Sequence, residues 1–303
     1  MYFFRSSPFM TRDLRNLSHG QHRSRTDLEA RLAELGDLPG WPVSRQVALL
    51  RDVANCQLGE FLLTHGGLDA HWTDVVVGRQ PGTGEATERM LLQRLPAAAA
   101  TRARFEIFTR QLQHALRPGM ALVSLPCGTL TDLLSLDFSQ ARPARLIGID
   151  IDDAALATAA RRAAELGMDV ELRQEDAWRC RLDVAADIVV SHGLSIYEPD
   201  DDRVRELYRR CAAMLKPTGL LVTSFMTPPP SLSPDSPWRM DILNPDDLML
   251  QQVLFTRLLQ PAWTGLRSHA RTRALLQDAG LDEIVFHDDP AALFPTVTAR
   301  RCG

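Results

Sequence analysis

Lysine is almost absent from this sequence. Lysine and arginine together number 34 against 38 acidic residues, and Lys216 is the only lysine. Such heavy use of arginine reads as a bias of coding composition. The formal net charge of −4 gives no electrostatic reason to expect nucleic acid as a partner. Paired cysteines are missing too. Cys56, Cys127, Cys180, Cys211 and Cys302 are scattered with no CxxC spacing, which fits a reduced, cytoplasmic compartment better than a disulfide framework. The eight histidines show no ligand spacing, so no metal is expected. No apolar run approaches the roughly 18 residues of a membrane span. The first residues, MYFFRSSPFMTRDLR, lack the apolar length and cleavage region of a signal peptide.

What is present is an ordinary globular balance, 303 residues with 45% hydrophobic content, enough for a large buried core. Residues 1–26 have little periodicity and read as a flexible arm or a lid. Residues 27–116 carry only helical spacing. The helices expected are 27–35, 43–59, 68–78, 85–95 and 98–116; the last has Phe105, Phe108, Leu112 and Leu116 at helical intervals. Arg117-Pro118-Gly119 is a sharp boundary. Beyond it strands and helices alternate. Strands are expected at 121–125, 145–149, 169–173, 187–191, 220–225, 283–288 and 296–300, with helices at 130–136, 153–166, 201–214 and 268–279.

This predicts an α/β doubly wound, seven-stranded Rossmann-like sheet, mostly parallel, with an antiparallel pair at one edge. Residues 1–116 form a helical cover and 117–303 the nucleoside-binding domain. A proline-rich insertion, 227–238, is a stiff loop at the ligand-binding end of the fifth strand, followed by a helix over 245–259.

The organising stretch is Met120–Asp150. An apolar strand meets the turn Pro126-Cys127-Gly128-Thr129, a helix follows, and a second apolar strand ends on Asp150. Strand, glycine turn, helix, strand and acid is the layout of a nucleoside-binding unit, in which the acid takes the ribose hydroxyls. The turn lacks the three glycines that a pyrophosphate needs, which argues against a nicotinamide dinucleotide.

Residues 117–303 resemble class I S-adenosylmethionine-dependent methyltransferases. Four segments in order carry the resemblance: LVSLPCGTL at 122–130, IGIDID at 147–152, RQEDAW at 173–178, and the run from ADIVVSHGLSIYEPD through LKPTGLLVTSF. The first departs from the family pattern: Pro126 and Leu130 stand where glycines are usual, and Ser124 stands for an acid. The resemblance implies S-adenosyl-L-methionine as cofactor, held by Ser124, Pro126, Cys127, Gly128, Asp150, Ile151, Asp176, Ala177, Ser191 and Gly193. It places His192, Tyr197 and Ser224 at the reacting end. Tyr197 is a candidate cation–π partner for a sulfonium, and His192 is a candidate base. Trp72, Asp74 and Arg79 of the helical part are candidates to close over the methionine end.

The leading expectation is methyl transfer to a small-molecule acceptor, such as an amino acid, a metabolite or a secondary-metabolite intermediate. SHGLSIYEPD and LLVTSF also resemble a bacterial group that cyclises S-adenosylmethionine to azetidine-2-carboxylate and methylthioadenosine. Ser124 in place of an acid would favour that chemistry, because a neutral amine is the nucleophile. A third reading is a non-catalytic S-adenosylmethionine-binding protein.

Overall fold

A computed structural model describes residues 25–303, except 79, 183, 184 and 260. The expectations placed on residues 1–24 and on Arg79 lie outside the described residues.

Six helices come first: α1 (Arg25–Leu35), α2 (Val43–Ala54), α3 (Gln57–His65), α4 (Ala70–Val76), α5 (Ala86–Arg94) and α6 (Pro96–Ala115). The helix expected over 43–59 is in fact two. Gly59, read as a helix end, lies inside α3, where a Cβ would fall 2.0 Å from the Val53 carbonyl oxygen. Close crossing of two helices, not termination, explains that glycine. Gly66, with φ of 67°, ends α3 in the left-handed conformation.

The second part contains β1 (Ala121–Ser124), α7 (Thr131–Leu134), β2 (Arg145–Asp150), α8 (Asp153–Glu165), β3 (Glu171–Gln174), β4 (Ala186–Ser191), α9 (Asp201–Met214) and β5 (Leu215–Ser224). It ends with α10 (Pro245–Val253), α11 (His269–Asp278), β6 (Leu281–His287) and β7 (Thr296–Arg301). All seven expected strands form. Asp152 caps α8, accepting from the Ala154 and Ala155 amides. α10 continues as a π-helical turn, Leu254–Leu259. Lys216–Gly219 is a bulge within β5, which begins earlier than the strand expected at 220–225. Leu215 already pairs with Ala186, and regular pairing resumes at Leu220 opposite Ile188.

The strand order is 3-2-1-4-5-7-6. β7 is the antiparallel member, set between β5 and β6. Alternation along the strands sorts the core into two layers. Val123, Ile147, Val189 and Leu221 pack with Val204, Leu207 and Tyr208 of α9. Leu122, Leu146, Ile188 and Val222 pack with Phe108 and Leu112 of α6 and Leu156 of α8. α6 therefore lies directly on the sheet. The remaining helices bury Leu32, Leu50, Val53, Leu58 and Leu91 together with Val253, Leu254 and Leu258. The segment after the proline-rich loop thus completes the helical cover. Polar ties hold the two together: Arg94 meets Asp247 at 2.7 Å, and the Ala97 amide donates to Gln251 Oε1.

Candidate active site

The parallel strands point their C-terminal ends at a cavity of about 1790 Å³ roofed by the cover. Its floor begins at the loop after β1. There the Cys127 amide donates to the Ile149 carbonyl and the Gly128 amide to Asp150 Oδ2 at 2.7 Å. Gly128 has φ of 52°, and a Cβ there would lie 3.3 Å from Ala70 Cβ of α4, so loop and cover approach closely. Leu130 also adopts a left-handed φ, 58°, with its side chain fully buried. This is the position where the family pattern has glycine; here the backbone shape persists with a leucine in it.

Asp150, at the end of β2, is buried, with the Gly128 and Asp152 amides on its two oxygens. Burial pushes its carboxyl above the usual range, and these hydrogen bonds oppose that. Ile151 beside it lines the cavity and is 53% exposed, an open apolar wall. Asp176 and Ala177 continue that wall. One Asp176 oxygen accepts from the Trp178 amide at 2.9 Å, so this acid also shapes its own turn.

Several of the expected residues line the cavity together: Pro126, Cys127, Gly128, Asp150, Ile151, Asp176, Ala177, His192, Gly193 and Tyr197. Ser124, Ser191 and Ser224 do not. They are strand residues buried behind the wall, where backbone and neighbouring side chains consume their polar groups. The Ser191 carbonyl accepts from Thr223 Oγ1, and Ser224 Oγ accepts from the Gly193 amide at 3.2 Å.

Ser124 requires the larger correction. Its hydroxyl donates to Asp132 Oδ2 at 2.7 Å, and Asp132 lines the cavity from the first turn of α7. The acid missing from β1 is supplied eight positions later. Ser124 therefore does not remove negative charge from this end of the site.

His192 sits between charges. Arg104 Nη1 of α6 lies 3.0 Å from Nδ1, and a guanidinium can only donate, so Nδ1 accepts. The neutral ring must then carry its proton on Nε2, which stands 3.3 Å from Asp132 Oδ2, off the alignment of a hydrogen bond. Burial lowers the imidazole pKa, and Arg104 adds to that while Asp132 opposes it. With one nitrogen occupied and the other protonated, His192 has no lone pair for a substrate proton. Its expected role as base is not supported; it is a spacer between Arg104 and Asp132. Phe108 stacks on it with ring centroids 3.8 Å apart.

Tyr197 closes the 3-10 turn Leu194–Tyr197 after β4. Its ring lies on the backbone of Gly67, where a Cβ would meet the phenol oxygen at 3.3 Å. Burial pushes the phenol pKa up, so the group is neutral. Of the cover residues, Trp72 is core, whereas Asp74 lines the cavity and binds the loop. It accepts from Thr129 Oγ1 at 2.8 Å and Thr131 Oγ1 at 2.7 Å.

Arg104 and Asp132 escaped the sequence reading. A signal existed for Arg104: Ala100, Arg104, Phe108 and Leu112 recur every four residues on the buried face of α6. A charge inside an apolar stripe needs an explanation.

The elements meet in the order a nucleoside ligand needs: an apolar wall with Asp176, then Asp150, then a glycine loop, then a charged and aromatic end. The observed cradle fits S-adenosylmethionine, because Asp150 presents a carboxylate at the cavity edge beside the Gly128 loop. Comparison with known proteins agrees. A family model described as a methyltransferase domain matches residues 123–219. A solved structure from Bordetella parapertussis, described as a possible exported protein, is 48% identical. The match covers 93% of this chain and 98% of that one, with a TM-score of 0.87. Magnesium protoporphyrin IX methyltransferase from Synechocystis PCC 6803, solved with S-adenosylhomocysteine, is 15% identical over 84% of this chain and 99% of that one, TM-score 0.54. The S-adenosylmethionine-dependent methyltransferase SibL is 16% identical over 84% and 74%, TM-score 0.51. These last two speak to the fold. No sequence among curated proteins gives a significant match. Residues 123–219 match the methyltransferase-domain family, and the chain has the fold of class I S-adenosylmethionine-dependent methyltransferases.

Proposed function

We propose that this chain transfers the methyl group of S-adenosylmethionine to a small-molecule acceptor enclosed between the sheet and the helical cover. The observation that carries this reading is the size and lining of the cavity. At about 1790 Å³ it exceeds the pocket of a single drug-sized ligand, on the order of 300–1,000 Å³. It runs past Tyr197 to Phe61, Phe255, Trp238 and Trp263, an aromatic chamber beyond the nucleoside-binding elements.

The cofactor, when bound, supplies a carbon already activated by a positive sulfur. The protein's own part is to hold the acceptor in line with it and to exclude water. Tyr197 offers a neutral aromatic face to positive charge. Asp74, Thr129 and Thr131 hold the cover on the loop. His192 has no free lone pair, so an acceptor that reacts without losing a proton first, or that ionises in solution, suits this site best. Cytoplasmic location belongs to the same reading, and the free thiols of all five cysteines are compatible with it. Among the described residues no helix is long and apolar enough to cross a membrane.

Cyclisation of the cofactor needs its amine unprotonated. Asp132, on the cavity wall where Ser124 had implied no charge, favours the ammonium form and so supports methyl transfer over cyclisation. The test is product analysis with S-adenosylmethionine alone and then with a metabolite extract. S-adenosylhomocysteine appearing only with the extract is expected. Methylthioadenosine formed without any acceptor would overturn the reading in favour of cyclisation, and binding without turnover would leave a non-catalytic protein.

A further inference from the structure

The guanidinium of Arg104 is a buried charge in the cavity wall. Arg104 is 5% exposed on the buried face of α6. Its hydrogen bonds both use Nη1 and both go to neutral acceptors, His192 Nδ1 at 3.0 Å and Ser224 Oγ at 3.3 Å. The Phe294 ring covers one face at 4.4 Å. Nε is buried with no partner. Among the described residues no carboxylate forms an ion pair with it; Asp132 stands on the far side of the His192 ring.

A buried charge without a counter-ion costs several kcal/mol, and proteins rarely keep one without use. Burial lowers the pKa of Arg104, to about 10, which still leaves it cationic at neutral pH. The geometry is that of a prepared fork. Phe294, His192 and Ser224 fix the plane and occupy Nη1, which leaves the edge formed by Nε and Nη2 without an acceptor among the described residues, on a residue that lines the cavity. That edge matches the two oxygens of a carboxylate.

We propose that Arg104 is a carboxylate-binding residue, taking a ligand carboxylate within this cavity on the guanidinium donors that the protein leaves unpaired. The carboxylate belongs either to the acceptor, which would then be an organic acid, or to the amino-acid end of the cofactor. The inference rests on the reading of the cavity as the cofactor and acceptor site.

The test is calorimetric titration of the full chain and its R104Q and R104K variants. The ligands are S-adenosylhomocysteine, methylthioadenosine (the same nucleoside and thioether without the amino acid), and benzoate and octanoate beside their uncharged amides. Loss of a charge-assisted fork corresponds to about 10- to 100-fold weaker binding. If the carboxylate is the cofactor's, R104Q weakens S-adenosylhomocysteine by that factor and leaves methylthioadenosine unchanged. If it is the acceptor's, R104Q spares both nucleosides and loses the acid probes but not the amides. R104K, which keeps the charge without the fork, recovers part of either effect. The proposal is overturned if R104Q weakens both nucleosides equally, as a purely structural residue would. It is equally overturned if no carboxylate ligand distinguishes R104Q from the parent protein. A parent protein that binds neither nucleoside sinks the functional reading instead, and the acid probes then still report on Arg104.

Discussion

Arg162 of α8 donates to Asp74 of α4 at 2.6 Å, and the same guanidinium nitrogen reaches Thr129 and Thr131 at 3.0 and 2.7 Å. One buried carboxylate thus joins the cover, the loop after β1 and the helix after β2. Asp74→Ala would leave the Arg162 charge and two hydroxyls without their acceptor. Stability should fall by about 3 kcal/mol, at the lower end for such a break because Arg162 reaches solvent. Urea unfolding reads this directly. The double variant Asp74→Ala, Arg162→Met should be less impaired than Asp74→Ala alone. Equal loss in both would mean that the pair carries no latch.

Asp150 tests the nucleoside assignment. Asp150→Ala removes the proposed acceptor for the ribose hydroxyls and frees the Gly128 amide from its present partner. Two charge-assisted hydrogen bonds, less compensation by water, correspond to a roughly 10- to 100-fold rise in the dissociation constant of S-adenosylhomocysteine. An unchanged titration curve would refute the assignment.

Leu130 sets two costs against each other. Truncating a buried leucine costs about 2–5 kcal/mol, whereas relieving a left-handed backbone returns about 1–2 kcal/mol. Leu130→Gly should therefore be less destabilised than Leu130→Ala, although glycine removes more atoms. At an ordinary buried position the order would be reversed. Chemical denaturation of the two variants decides it.

His192 gives a pH signature. Its folded pKa is depressed, chiefly by burial and further by Arg104. The unfolded chain then binds more protons below about pH 6.5, the ordinary histidine value. The contribution of neutral His192 is complete above that value and is lost as pH falls toward the depressed pKa. His192→Asn should flatten the fall in stability between about pH 7 and pH 5. A variant with the same pH slope as the parent would show that His192 is not buried neutral.

The reach of the sequence followed from how local each signal is. Strand runs such as Leu146–Ile149 are local, and they appeared where expected. Asp150, Gly128 and Asp176 lie together on the cavity wall, and they could be singled out because their positions are defined by neighbours in the chain. The break between α2 and α3 was not, since the reason for Gly59 is a contact with the helix before it. Arg104 and Asp132 meet His192 across 88 and 60 residues, and nothing in local spacing announces such a meeting. The three serines show a subtler limit. Their positions in the chain were read correctly, but strand alternation and side-chain hydrogen bonds put them behind the wall they were expected to form.

Lys216, the single lysine, pairs through Nζ with Asp187 at 2.8 Å, and its side chain is 46% exposed. It lies where β5 begins, whereas the cavity opens where β5 ends. An amine-reactive dye or surface linker therefore meets one ε-amine in the whole molecule, at the opposite end of the sheet from the cavity. The arginine bias thereby leaves a single side-chain amine as a handle, at the end of the sheet away from the cavity.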